Sequence, residues 1–125
     1  AAISRVSDIG KPALLGFCWG GSLAFRMAVD ANTLSAAVCF YGAGVSALAD
    51  LPPKVPTMLH FGENDHAIPM SDVERVRLAR PEVELFTYPA GHGFNCDQRA
   101  SYEPESGSIA WQRSMEFFET HARFR

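Results

Sequence analysis

Three short stretches of the chain hold residues able to break an acyl bond. In Gly16-Phe17-Cys18-Trp19-Gly20 a cysteine stands two residues from a glycine on either side. That is the G-x-nucleophile-x-G spacing of a sharp strand-to-helix turn, the nucleophile elbow. Small residues at Gly16, Gly20 and Gly21 let strand and helix approach closely. The turn holds its nucleophile in strained backbone, at a cost of about 1–3 kcal/mol. A free cysteine is only roughly 3% ionised at pH 7, so the helix N-terminus behind Cys18 is expected to lower its pKa. "HFGENDHAIP" offers Asp65 from a turn, and "PAGHGFNCDQR" sets His92 between two glycines. A histidine that takes the thiol proton, and a carboxylate that orients the histidine, would complete a relay.

Plainer readings exist for each position. Asp65 could serve only as a turn cap, and His92 as a solvated loop residue. Cys39, in "AAVCFYG", reads as a core cysteine, and His60, inside an apolar run, as structural. His66 beside Asp65 invites a metal reading. However, Phe61 and Glu63 stand where an H-x-H-x-D-H zinc pattern needs histidines, so no metal is expected.

The elements that must position these residues are four apolar runs: "PALLGF" (12–17), "SAAVCFYG" (35–42), "VPTMLHFG" (55–62) and "VELFTYP" (83–89). None alternates strictly, as suits parallel strands covered on both faces. Helix-like segments separate them. Residues 20–31 are apolar nearly all round, as for a helix buried on a sheet. Ser71 and Glu74 have capping-box spacing ahead of "SDVERVRLAR", which Pro81 stops. Trp111, Met115, Phe118 and Ala122 form an apolar stripe expected to lie on the core. Residues 90–106 lack periodicity and read as a long functional loop. The fold class is therefore α/β, a parallel sheet with flanking helices. Cys18, Asp65 and His92 each follow a predicted strand, so all three should project from the carboxyl rim of the sheet. Their order along the chain, nucleophile then acid then histidine, is that of α/β-hydrolases.

Composition narrows the remaining classes. The 125 residues are 47% hydrophobic and 20% charged with a net charge of −3, fitting one folded domain. No basic stripe suggests nucleic acid, and no apolar run reaches the ~18 residues of a membrane span. "AAISRVSDIG" lacks the zones of a signal peptide. Three cysteines, an odd number, read as reduced thiols in a cytoplasm.

"GFCWGG", "FGENDHAIP" and "AGHGFNCDQR" together resemble the signature segments of the dienelactone hydrolase (carboxymethylenebutenolidase) family. The resemblance runs over nearly the whole chain, including "WQRSMEFFETH". It implies a cysteine hydrolase, without metal or organic cofactor, that opens an enol-lactone or related ester during catabolism of aromatic compounds. By the same resemblance Cys18 is the nucleophile, His92 the general base and acid, Asp65 the group orienting His92, and the Trp19 N–H an oxyanion donor. Family members carry an arginine four positions after the histidine; here Cys96 stands there, and Arg99 is the nearest arginine. The resemblance covers the C-terminal half of the family fold, which makes residues 1–125 a single partial domain. It also puts the first strands and a second oxyanion donor N-terminal to it, and the start of the chain in the helix just before the nucleophile strand. "PALLGF" would then be an edge strand, inviting self-association along 12–17 or pairing with an N-terminal half. One rival is a glutamine amidotransferase-like site, which needs an H-x-E that none of the four histidines provides. Another is a thiol redox or non-catalytic binding module using Cys18 and Cys96.

Overall fold

A computed structural model describes residues 10–30, 33–96 and 98–124. The helix expected at the start of the chain lies outside the described residues. Strands β1 (Gly10–Lys11), β2 (Ala13–Phe17), β3 (Ala36–Phe40), β4 (Thr57–Gly62), β5 (Glu84–Tyr88) and β6 (Arg123–Phe124) alternate with helices α1 (Trp19–Asp30), α2 (Met70–Ala79) and α3 (Pro104–His121). A 3₁₀ helix spans Ala43–Leu48. β2 to β5 form one sheet in the order β2-β3-β4-β5, all parallel. The two short strands β1 and β6 pair antiparallel. Each main strand falls within the apolar run that foretold it. β3 and β4 are buried at every position, which is why their sequences run apolar instead of alternating.

β2 is the edge strand of this sheet, and its outer side has no strand partner among the described residues. The expected helix buried on the sheet is present as α1, but only one of its faces is covered. The helix buries Gly21, Ala24, Phe25 and Ala28, while Trp19 and Leu23 are exposed, as is Phe17 at the end of β2. An edge position leaves the far side of the helix uncovered among the described residues.

Two expectations are corrected. The Ser71–Glu74 capping box does not form. α2 begins one residue earlier, with Pro69 as its cap and no side-chain capping bond, so Ser71 already lies inside the first turn. Glu74 instead pairs with Arg77 at 3.2 Å. The second concerns α3, which starts at Pro104, inside the segment read as loop. The Glu103 carboxylate caps it by accepting the N–H groups of Glu105 and Ser106. Its buried face is Ser106, Gly107, Ala110, Ser114 and Phe117; of the predicted stripe, Phe118 packs against the core, whereas Trp111 is exposed.

The reason lies under α3, at His60. This β4 side chain is fully buried and needs polar partners. Its Nδ1 lies 2.8 Å from the Tyr88 hydroxyl and its Nε2 lies 2.9 Å from Ser114 Oγ. Ser114 gives its one proton to the Ala110 carbonyl at 2.8 Å, so it must accept from His60 Nε2–H. Nδ1 then accepts the Tyr88 proton, and the Tyr88 oxygen accepts from Arg113 Nη1 at 3.1 Å. Burial, with Arg113 nearby, lowers the His60 pKa to about 3. The network keeps the ring neutral and fastens α3 to the sheet, and small Ser114 is what allows the helix to reach it.

Candidate active site

β2 ends at Phe17, and the backbone turns at Cys18 with φ of 55°. Its N–H donates to the Phe40 carbonyl at 3.0 Å, and its own carbonyl accepts from Gly21 and Ser22 at 2.9 and 3.2 Å. Cys18 thus follows the last strand residue directly and caps α1. Two of the three expected small positions are sterically required. A Cβ on Gly16 would lie 2.0 Å from the Gly20 carbonyl oxygen, and one on Gly21 would lie 2.5 Å from that of Phe40. Gly20 is different: a Cβ there would meet nothing within 4 Å, so its small size is not a packing requirement. The Trp19 N–H, first in the helix, has no intrahelical acceptor and is free to face an oxyanion.

The Asp65 side chain is fully buried and that of His92 about 25% exposed. The Asp65 Oδ1 accepts the N–H groups of Ala67 and Ile68 at 2.7 and 3.1 Å. Its Oδ2 is 2.6 Å from His92 Nδ1. A carboxylate accepts only, so His92 carries its proton on Nδ1 and presents a bare Nε2. Ser101 Oγ donates to the His92 carbonyl, tying the histidine to the following loop. Gly93 takes φ of 75°, where a Cβ would sit 2.5 Å from Arg99 Cδ. That conformation lets Arg99 fold over the turn.

Cys18 opens into a cavity of about 580 Å³ whose wall includes Phe17, Tyr41, Asn95, Cys96 and Arg99. Burial pushes the Cys18 thiol above its ordinary pKa; Arg99 opposes the rise, and Cys96 and Asp65 add to it. The expected lowering is therefore reversed. Desolvation outweighs the one cation in reach, and the Asp65 carboxylate repels a thiolate. Asp65 and His92 are joined as expected. No Cys18–His92 hydrogen bond is made among the described residues. Cys39 is fully buried, and its thiol is pushed far up. His66 is exposed.

Sequence reasoning missed Tyr41. It follows β3 with φ of 39°, and its ring centroid lies 5.2 Å from that of His92. The available signal was a large residue between the end of an apolar run and a glycine, in "FYG".

A parallel sheet with its nucleophile on a strand-to-helix turn, followed by an acid and a histidine at later strand ends, is the α/β-hydrolase arrangement. The model of the dienelactone hydrolase family matches residues 2–122, and the chain belongs to that family. A Synechocystis protein assigned as a carboxymethylenebutenolidase is 38% identical over 88% of this chain and 50% of its own length. The carboxymethylenebutenolidase of a Pseudomonas strain is 30% identical over 86% and 47%. The chain thus spans about half the length of the curated relatives it matches. A solved structure from Klebsiella pneumoniae, assigned to the dienelactone hydrolases, superposes with a TM-score of 0.82. It is 31% identical, with 96% of this chain and 58% of that one covered. These likenesses favour a hydrolase over a redox or binding module.

Proposed function

We propose that the chain carries the Cys-His-Asp centre of a hydrolase that opens an enol-lactone or related ester, in the catabolism of aromatic compounds. The observation that carries the reading is the Asp65–His92 bond of 2.6 Å, which leaves His92 Nε2 bare on the rim where Cys18 sits in strained backbone. A thiol with a raised pKa is mostly protonated at neutral pH, so Cys18 needs a base at the moment of attack. His92 Nε2 takes that proton as the sulfur bonds to the carbonyl carbon, and the Trp19 N–H faces the oxygen that becomes negative. The C–O bond of the lactone breaks, and the ring oxygen, leaving as an enolate, takes the proton from His92, which is then free to act as a base again. Water then adds to the thioester, giving one proton to His92. The C–S bond breaks, and His92 returns the proton to sulfur. Asp65 holds the imidazole and balances its positive charge. The thiols of Cys18, Cys39 and Cys96 are all free, in keeping with a reducing cytoplasm.

A p-nitrophenyl ester assay tests the reading. Cleavage by the purified chain should fall to background in Cys18→Ala and persist in Cys96→Ala. Activity that survives in Cys18→Ala, or that follows Cys96, contradicts it.

A further inference from the structure

Cys18 and Tyr41 are the two non-glycine residues with positive φ among the described residues, at 55° and 39°. They end neighbouring strands, and both line the same cavity. A tyrosine held in the left-handed region costs about 1–3 kcal/mol and persists only where its surroundings fix it. The fixing is visible. The Tyr41 N–H donates to the His60 carbonyl at 2.7 Å. Its ring meets Phe94 edge-on at 5.2 Å and lies at the same distance from His92. Tyr41 shares the cavity wall with Cys18, Asn95, Cys96 and Arg99. A phenol hydroxyl has one proton to give. That proton has no acceptor among the described residues. The Cys18 sulfur, which opens into the same cavity, gains negative charge during the reaction.

We infer that Tyr41 is a positioning residue of this site: its hydroxyl donates to the Cys18 sulfur as the thiolate forms, and its ring sets the plane of His92. The inference rests on Cys18 being the nucleophile.

Tyr41→Phe isolates the hydroxyl, because phenylalanine keeps the ring and the same backbone demand. The test is the pH profile of iodoacetamide alkylation of the full chain, with modified peptides assigned to Cys18, Cys39 or Cys96 by mass spectrometry. Loss of a donor to a thiolate should move the Cys18 profile of Tyr41→Phe upward by about one pH unit, so that alkylation at pH 7 is roughly tenfold slower. The Cys96 profile should stay in place, as an internal reference that a general loosening of the fold would move. Superimposable Cys18 profiles in the two proteins overturn the inference while leaving the nucleophile reading intact. A wild-type Cys18 no more reactive than buried Cys39 overturns the nucleophile reading, and this inference with it.

Discussion

His60 stands inside β4 and His92 in the turn that follows β5, and their neighbours hold the two rings in opposite ways. Both rings are fixed by a partner on Nδ1, yet the partners differ in kind. His60 accepts there from the Tyr88 hydroxyl and donates from Nε2 to Ser114, so both nitrogens are occupied and the ring is sealed. His92 donates from Nδ1 to a carboxylate, which leaves the other nitrogen bare and favours any positive charge the ring acquires. A histidine's role here follows from which nitrogen the neighbours occupy and whether the partner is a hydroxyl or a carboxylate. Burial alone does not decide it: the Asp65 side chain is as completely buried as His60.

The comparison breaks most easily at His92. His92→Asn should lower Cys18-dependent ester cleavage by about 10³-fold or more, because the thiol loses its base. Its unfolding midpoint should stay close to that of the parent. A stability loss as large as the activity loss would make His92 structural, like His60, and would erase the distinction.

His60→Ala should do the reverse. It leaves a cavity and removes a partner from both Tyr88 and Ser114, costing on the order of 3–5 kcal/mol of stability by denaturant titration. A smaller, pH-dependent effect sharpens the contrast. The folded His60 pKa of about 3 is below the unfolded value of about 6.5. The unfolded chain therefore binds a proton that the native chain refuses. The corresponding stability is fully present above about pH 6.5 and is lost as pH falls toward 3. Between about pH 6 and 5, above the range of most carboxylates, the parent should lose stability with a slope of up to about 1.4 kcal/mol per pH unit. His60→Ala should be flatter over that interval. Equal slopes would mean that some other group carries the acid sensitivity.

Much of the sheet was legible because buried parallel strands need continuous apolar runs, and each run here is bounded by a turn former. The positions of Cys18, Asp65 and His92 at the carboxyl rim follow from that same pattern, since each comes just after a run. The buried face of α3 was only partly legible. Apolar periodicity points to Trp111, whereas the helix turns Gly107 and Ser114 inward because of a close approach and a polar partner on β4. Neither constraint leaves a mark within the helix's own sequence. The direction of the Cys18 pKa was hidden for a similar reason. The turn and the helix N-terminus can be read locally, but the cavity wall that buries Cys18 includes Tyr41, Asn95 and Cys96, which are distant in sequence. Tyr41 was missed because strain is a property of φ, and residue type alone did not reveal it.

The central claim, that one histidine is sealed and the other offers a base, is tested most directly by nitrogen-15 NMR of the imidazole rings at mildly alkaline pH. The account predicts opposite tautomers: His60 with its proton on Nε2, and His92 with its proton on Nδ1 and an unprotonated Nε2. A His92 ring that carries its proton on Nε2 would have no lone pair to offer Cys18 and would contradict the account.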